Sequence, residues 1–265
     1  MKETIEIVAT DHLKTLGNCG GYYSCPKDPS GKRLGPLVCY AGDYELPDGS
    51  RKKFVGDVYV NFAKAEPFPN VRRFFAGHLC NRLASPGILR GIDVFCGAPI
   101  GGYSLADAIG DYAGIPSIKA EKQVIEVKTA TSKEVSEVIF GRHSVKAGQR
   151  VAIVEDVCNN FSTTLSLILK IEKLGAQVVA IVCFLNRSLT LGDVYCPGAN
   201  VLLRSGERRD MSAFRIPVVS LVRLPINEWK QDDPAVAEDV AKNNVAWDPK
   251  KKDWERLMEA MHAQQ

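Results

Sequence analysis

The segment from residue 151 to 184 constrains the fold more than any other part of the chain. It opens with an unbroken apolar run, Val151-Ala152-Ile153-Val154, that leads into Glu155-Asp156. A polar turn follows, Cys158-Asn159-Asn160-Phe161-Ser162. Thr163 to Leu174 then carries helical periodicity, with Gly175 in place to end the helix, and Val178 to Phe184 is a second continuous apolar run. Strand, helix and strand within so short a span predict a βαβ unit, whose right-handed crossover makes the strands parallel. The lack of alternation in both runs predicts strands covered on both faces.

The neighbouring segments extend this pattern. Ile92 to Cys96 reads as a strand, 97–102 as a Gly-rich turn, Leu105 to Tyr112 as a helix and Ile115 to Ala120 as another strand. Residues 216–224 read as a further strand, and Lys128 to Glu137 as a polar, mobile loop. Upstream, 17–36 is rich in Gly and Pro and irregular. Two β-rich stretches follow, Leu37 to Tyr44 and Phe54 to Phe62, with a Pro47-Asp48-Gly49 turn between them. Val71 to Ala84 reads as a helix ended by Pro86-Gly87. In the tail, Trp254, Leu257, Met258 and Met261 share one helix face suited to core or dimer packing. The expected fold is α/β, with a central parallel sheet flanked by helices and a small hood subdomain. The expected divisions are a hood and β-rich segment over 1–88, the core over 89–225 and a polar tail with a helix over 226–265.

With 265 residues the chain is long enough for one or two domains without disulfide or metal staples. Its 34 basic and 31 acidic residues leave a net charge of only +3, which argues against a nucleic-acid binder. No apolar run approaches the ~18 residues of a membrane span, and MKETIEIVATDH lacks a signal-peptide core. The eight cysteines form no CxxC pair and no zinc spacing, as expected of reduced thiols in a cytoplasmic protein.

Parallel sheets bind ligands beyond the carboxyl ends of their strands. Two such ends stand out. The turn Gly97-Ala98-Pro99-Ile100-Gly101-Gly102 permits close backbone approach and opens a helix whose N-terminus suits an anion. A plain strand-to-helix turn needs the same residues. At the other end, Glu155-Asp156 suits ligand hydroxyls, and the polar residues at the following helix start suit a phosphate. The bland alternative is that Ser162 caps the helix and the acids are solvated.

On these residues the chain resembles the type I phosphoribosyltransferases, and among them the orotate phosphoribosyltransferases. VAIVEDVCNNFSTT at 151–164 resembles the family's signature of strand, two acids, loop and helix. DVFCGAPIGGYSLADAI at 93–109 resembles its strand, pyrophosphate loop and helix, and GDVYVNFAK at 56–64 its hood strand. Asn186-Arg187 stands where the orotate enzymes carry Asp-Arg. The resemblance covers about residues 60 to 190. It implies phosphoribosyl pyrophosphate bound with Mg2+ carried by the ligand, with no metal held directly by protein residues. It also implies transfer of the ribose 5-phosphate to a nucleobase-like, acidic ring with release of pyrophosphate. Glu155 and Asp156 would hold the ribose hydroxyls. Asn159, Asn160, Phe161, Ser162 and Thr163 would hold the 5′-phosphate. Ala98, Pro99, Ile100, Gly101 and Gly102 would hold the pyrophosphate. Arg187 and Tyr59 would contact the base. Lys122, in Glu121-Lys122, stands where the family has an Arg-Lys pair and would be catalytic with Glu155 and Asp156, and 123–142 would close over a site shared within a homodimer.

The chain departs from the family at several points. Phe161 stands where the family's phosphate loop has Gly, Asn159 and Asn160 replace small or hydroxyl residues, and Gly101 replaces a Lys. Gln123 to Glu137 lacks the His and Gly of the family's mobile loop, leaving Lys128 and Lys133 as substitutes for its cations. Two alternatives follow. One is a non-catalytic regulator that binds phosphoribosyl pyrophosphate. The other is an NAD(P)-dependent oxidoreductase using Gly97, Gly101, Gly102 and Glu121. The four histidines, His12, His78, His143 and His262, are scattered, and His143 beside the mobile stretch is the most suggestive.

Overall fold

The computed structural model describes residues 5–126, 135–202 and 208–263. Elements in chain order are α1 (His12–Asn18), β1 (Tyr22–Ser24), β2 (Leu37–Glu45), β3 (Arg51–Gly56), β4 (Val58–Val60), α2 (Pro69–Ala84), β5 (Val94–Gly97), α3 (Gly102–Ala113), β6 (Ser117–Lys119), β7 (Glu121–Glu126) and β8 (Val135–Ile139). Then come β9 (Arg150–Cys158), α4 (Ser162–Lys173), β10 (Gln177–Asn186), β11 (Val194–Tyr195), β12 (Gly198–Leu202), β13 (Arg208–Met211), β14 (Ile216–Arg223), α5 (Ala237–Ala241), β15 (Val245–Ala246) and α6 (Trp254–His262).

Two compact units result. One comprises Met1–Ile7 and Glu66–Pro225, the other Val8–Ala65 and Ile226–Gln265. The main segment of the first unit begins at 66 rather than 89. Its helix α2 belongs to the core because Phe75 packs its ring 4.8 Å from Phe184 of β10. The second unit joins the N-terminal segment and the tail, which the sequence reading had divided, through parallel pairing of β15 with β2.

The first unit is built on a six-stranded sheet in the order β11-β14-β10-β9-β5-β6. All its neighbours pair in parallel except the short edge strand β11, which runs antiparallel to β14. The predicted βαβ unit is β9-α4-β10. Val151 and Ile153 of β9 join Leu167, Ile168 and Ile171 of α4 in one buried cluster. Phe184 faces the other way, onto α2, so both faces of β10 are covered and the apolar run is continuous. Helix α4 stops where Gly175 takes up a φ of 79°.

Strand order locates the site. From β5 the chain crosses outward to β6, then returns to the opposite side of β5 as β9 and continues to β10. The direction of winding reverses between β5 and β9, and right-handed crossovers put α3 and α4 on opposite faces there. The β5–β9 ladder ends at Gly97↔Val154, whereas β10 follows β9 to Asn186↔Cys158. Glu155 and Asp156 thus lie within β9 rather than after it. Their β10 side is paired and their β5 side is open.

The stretch 123–142, expected as a mobile loop, carries much of an antiparallel hairpin. Strands β7 and β8 pair from Glu121↔Ile139 to Glu126↔Val135. In the second unit β15, β2 and β3 form one small sheet, and β1 and β4 another. The apolar face of α6 is buried there, Trp254 and Leu257 packing with Tyr23, Val38 and Ala246.

The turn after β5 lies tight against β9. A Cβ on Gly102 would fall 2.0 Å from the Val154 carbonyl oxygen, far inside contact distance. We predict that Gly102→Ala lowers stability by ~1–3 kcal/mol through overpacking. The change will be read as a lower Tm in a thermal melt. Gly192→Ala, where a Cβ meets nothing within 4 Å, will leave Tm nearly unchanged.

Candidate active site

The site is built from two strand ends and the turns that follow them. Beyond β5, Ala98 to Gly102 folds back across β9. The Ala98 amide donates to the Val154 carbonyl at 2.9 Å, and the Pro99–Ile100 peptide is cis. Gly101 comes so close to Asp156 that a Cβ there would lie 2.4 Å from its Cγ and Oδ1. Ile100 projects into solvent, 76% exposed. The fold therefore brings the residues expected to hold pyrophosphate against those expected to hold ribose. It also gives a reason for Gly101 where the family has Lys, since a side chain there would displace the Asp156 carboxylate.

The two acids differ in environment. Glu155 is buried, and desolvation, followed by the nearby Asp156 charge, pushes its carboxyl well above the usual range. Asp156 is only partly buried, and its Oδ1 accepts the Val157 amide at 2.8 Å.

Beyond β9 the chain turns into α4. Ser162 is not the cap. It is the first helical residue, and Phe161 occupies the cap position without a side-chain hydrogen bond. Asn160 acts in its place, its Oδ1 accepting the Ser162 amide at 3.1 Å. Ser162 is exposed, and Thr163 and Asn159 are partly exposed. The first turn of a helix presents N–H groups without intrahelical partners and the positive end of the dipole, which suits an anion.

Phe161 itself has φ 56° and ψ 22°, the left-handed conformation that favours glycine. Such strain costs ~1–3 kcal/mol. Its ring is buried and stacks on Tyr195 of β11, centroids 5.2 Å apart and planes 24° from parallel. Burial of a Phe ring, worth ~1.5–3 kcal/mol, offsets the strain. The substitution thus preserves a glycine-like backbone in this turn.

Arg187 follows β10, its amide donating to the Cys158 carbonyl at 2.9 Å, beside the end of β9. Asn186 is fully buried. Its amide group donates to the carbonyls of Leu191 and Gly192, and its Oδ1 accepts the Ser188 amide. Lys122 lies on β7 opposite Val138, exposed. Lys128 and Lys133 lie outside the described residues. Tyr59 belongs to the second unit, where its ring packs 6.0 Å from Trp254.

Sequence reading did not single out an open cavity of about 390 Å³ at the end of β6, lined by Tyr103, Lys119, Glu121, Arg142 and His143. His143 Nδ1 accepts the Lys119 amide at 3.4 Å, and Lys119 Nζ pairs with Asp107 at 2.7 Å. Glu121 accepts the Arg142 amide at 3.0 Å. The acid that motivated a nicotinamide reading is thus engaged at the hairpin base. All eight cysteines are free. A hydrogen bond to Cys183, then burial, pushes the Cys158 thiol well up, and burial pushes that of Cys96 to about 12. Neither is a ready thiolate.

No family model matches the chain. In sequence it is 27% identical over 196 residues to orotate phosphoribosyltransferase of Caldanaerobacter subterraneus, covering 74% of this chain and 83% of that one. It is 28% identical over 148 residues to the Archaeoglobus fulgidus orotate phosphoribosyltransferase, covering 55% of this chain and 73% of that one. Among solved structures, Leishmania donovani UMP synthase aligns with 98% of this chain and 43% of its own, at 18% identity and a TM-score of 0.46. In sequence the chain is similar to the orotate phosphoribosyltransferases, which are pentosyltransferases of the type I phosphoribosyltransferase family, and its parallel α/β sheet is consistent with that likeness.

The burial of Glu155 has a pH signature. Its proton is held in the folded state above the ordinary value near 4.5, so the folded chain binds more protons than the unfolded one above that pH. The contribution to stability is full below pH ~4.5 and is lost as pH rises toward the folded pKa. Glu155→Gln, which keeps the shape without the charge, will show the smaller fall in Tm between pH 5 and pH 8 (about three pH units).

Proposed function

We propose that the chain transfers ribose 5-phosphate from phosphoribosyl pyrophosphate to an acidic, orotate-like ring, releasing pyrophosphate. The observation that carries this reading is the approach of the Gly101 backbone to the Asp156 carboxylate, on the β9 end that leads into the α4 N-terminus. In this reading the turn after β5, Asp156 and the turn after β9 would serve as an anion-binding turn, a hydroxyl acceptor and a second anion-binding turn.

In the reaction the bond from the ribose C1′ to the pyrophosphate oxygen breaks, and a bond from C1′ to a ring nitrogen forms. Pyrophosphate leaves with the electron pair and takes up the proton that the ring nitrogen gives up. Asp156 would accept hydrogen bonds from the ribose hydroxyls and fix the sugar. Glu155, buried on the opposite face of β9, would add no second charge to the site in its neutral form. The 159–163 turn would grip the 5′-phosphate through N–H groups, and 98–102 would face the pyrophosphate. Arg187 would meet the acidic group of the ring. The roles of Tyr59 and Lys122 rest on the family resemblance. Positioning and charge stabilisation of the leaving group supply most of the rate in such a transfer.

Among the described residues no three His, Cys, Asp or Glu side chains gather around a cation position. In this reading Asp156 meets the sugar, and magnesium comes with the substrate, where it would neutralise charge on the pyrophosphate. The reading also includes a homodimer, and a place in nucleotide metabolism in the cytoplasm.

Titration calorimetry with phosphoribosyl pyrophosphate and magnesium, followed by a pyrophosphate-release assay over acidic and neutral bases, tests the proposal. Release with an acidic base supports it. Binding without release from any base favours a regulator, and no binding rejects both. Asp156→Asn is expected to lower kcat/KM by ~100-fold or more while leaving Tm close to that of the wild type. Chelation of magnesium with EDTA is expected to abolish release and leave the circular dichroism spectrum unchanged.

A further inference from the structure

We propose that Tyr195, which is none of the expected ligand contacts and lies more than thirty residues beyond the 159–163 turn, is a positioning residue that holds that turn in its anion-binding shape through Phe161. The inference rests on the proposed phosphate role of that turn, but its structural half stands independently. Phe161 occupies a backbone region that side-chain-bearing residues rarely adopt, and does so at the junction of β9 and α4. Local hydrogen bonds alone do not select it. The Leu165 amide donates to the Phe161 carbonyl at 2.8 Å, and the Asn160 side chain accepts the Ser162 amide, as they would for many residues at 161. What is particular to Phe161 is its ring, buried and near-parallel to that of Tyr195.

Tyr195 is well placed to act as a clamp. It is itself buried, 4% exposed. It sits on β11, the antiparallel strand at the sheet edge, in register with Ile216 of β14. Both rings belong to one cluster with Cys158, Leu167, Met211 and Ile216. Rotating Phe161 into an ordinary α or β conformation would re-aim its side chain and break the stack. The stack therefore selects the left-handed form and, with it, the direction of the N–H groups from 160 to 164. A glycine at 161 would adopt the same form without help. The chain has exchanged a permissive backbone for an aromatic lock supplied by a distant edge strand.

The exchange predicts coupling between the two positions. Tyr195→Leu keeps an apolar filling but removes the stack, and Tyr195→Phe restores the ring. In the Phe161 protein, Tyr195→Leu should speed hydrogen exchange of the Ser162 and Leu165 amides by about tenfold without ligand. It should also raise KM for phosphoribosyl pyrophosphate by about tenfold with little change in kcat, and Tyr195→Phe should recover both. In the Phe161→Gly background, Tyr195→Leu should have no further effect on either readout. Equal effects in both backgrounds would overturn the proposal, because Tyr195 would then be only a core residue. If Tyr195→Leu does not fold, Phe161→Ala against Phe161→Gly decides. The alanine variant keeps the strain and loses the lock, so its turn should exchange faster than that of the glycine variant. Equal exchange rejects the lock. A wild-type protein that fails to bind phosphoribosyl pyrophosphate defeats the proposed function, and the exchange comparison still decides the lock.

Discussion

The architecture of this site depends on where one ladder stops. Strands β5 and β9 run together only to Gly97↔Val154, and there the Val154 carbonyl is covered by the turn that follows β5. Its oxygen accepts the Ala98 amide, and the backbone of Gly102 passes too close to it for any side chain. A backbone carbonyl that would otherwise seek a partner in β5 is satisfied by the turn itself. The turn is thereby fixed against β9, and Asp156 comes to face it rather than another strand. Had the ladder run two residues further, β5 would have covered the acidic edge. The crevice at the switch point is thus a consequence of register.

The second turn meets a different constraint. A helix that begins directly beyond a buried strand needs one residue to change the direction of the chain. Phe161 makes that change in a left-handed conformation, stabilised by contacts remote in sequence. The two turns flanking the crevice are therefore held by opposite means. One relies on the absence of side chains at Gly101 and Gly102, the other on a large side chain that is fully committed to the core.

Most of the α/β core was legible in the sequence for a simple reason. Strands covered on both faces need continuous apolar runs, and 151–154 and 178–184 are such runs. The end of β9 was harder to read. Glu155 and Asp156 look like the start of a loop, yet backbone pairing with Cys183 and Leu185 carries the strand through them to Cys158. Pairing is blind to side-chain polarity when one edge of the strand is open. The hairpin β7–β8 was missed because its residues do not alternate: Lys122, Gln123, Val124 and Ile125 are all exposed, so no buried face leaves a period in the sequence. The strand that joins the tail to the N-terminal segment was equally hidden, since β15 contributes only two residues to its pairing with β2. The left-handed Phe161 left no local signal, because its stabilising partner is Tyr195. A departure from a family pattern at one position acquires its meaning only from the residue that compensates it.

The adjacent acids show why the same pair of residues need not share one role. Successive side chains of a strand point to opposite faces. Here that geometry sends Glu155 into the interior and Asp156 to the crevice beside Gly101. Two charges so close would repel each other, and the interior one would lack solvent. Burial eases the conflict by favouring the neutral form of Glu155, whose carboxyl is pushed well above the usual range. The proposed ligand, with three phosphate groups on a sugar, is itself strongly anionic. A site with both acids ionised would oppose it on approach more than one with a single carboxylate. The strand's period of two, rather than the choice of two acidic residues, is what makes the pair compatible with such a ligand.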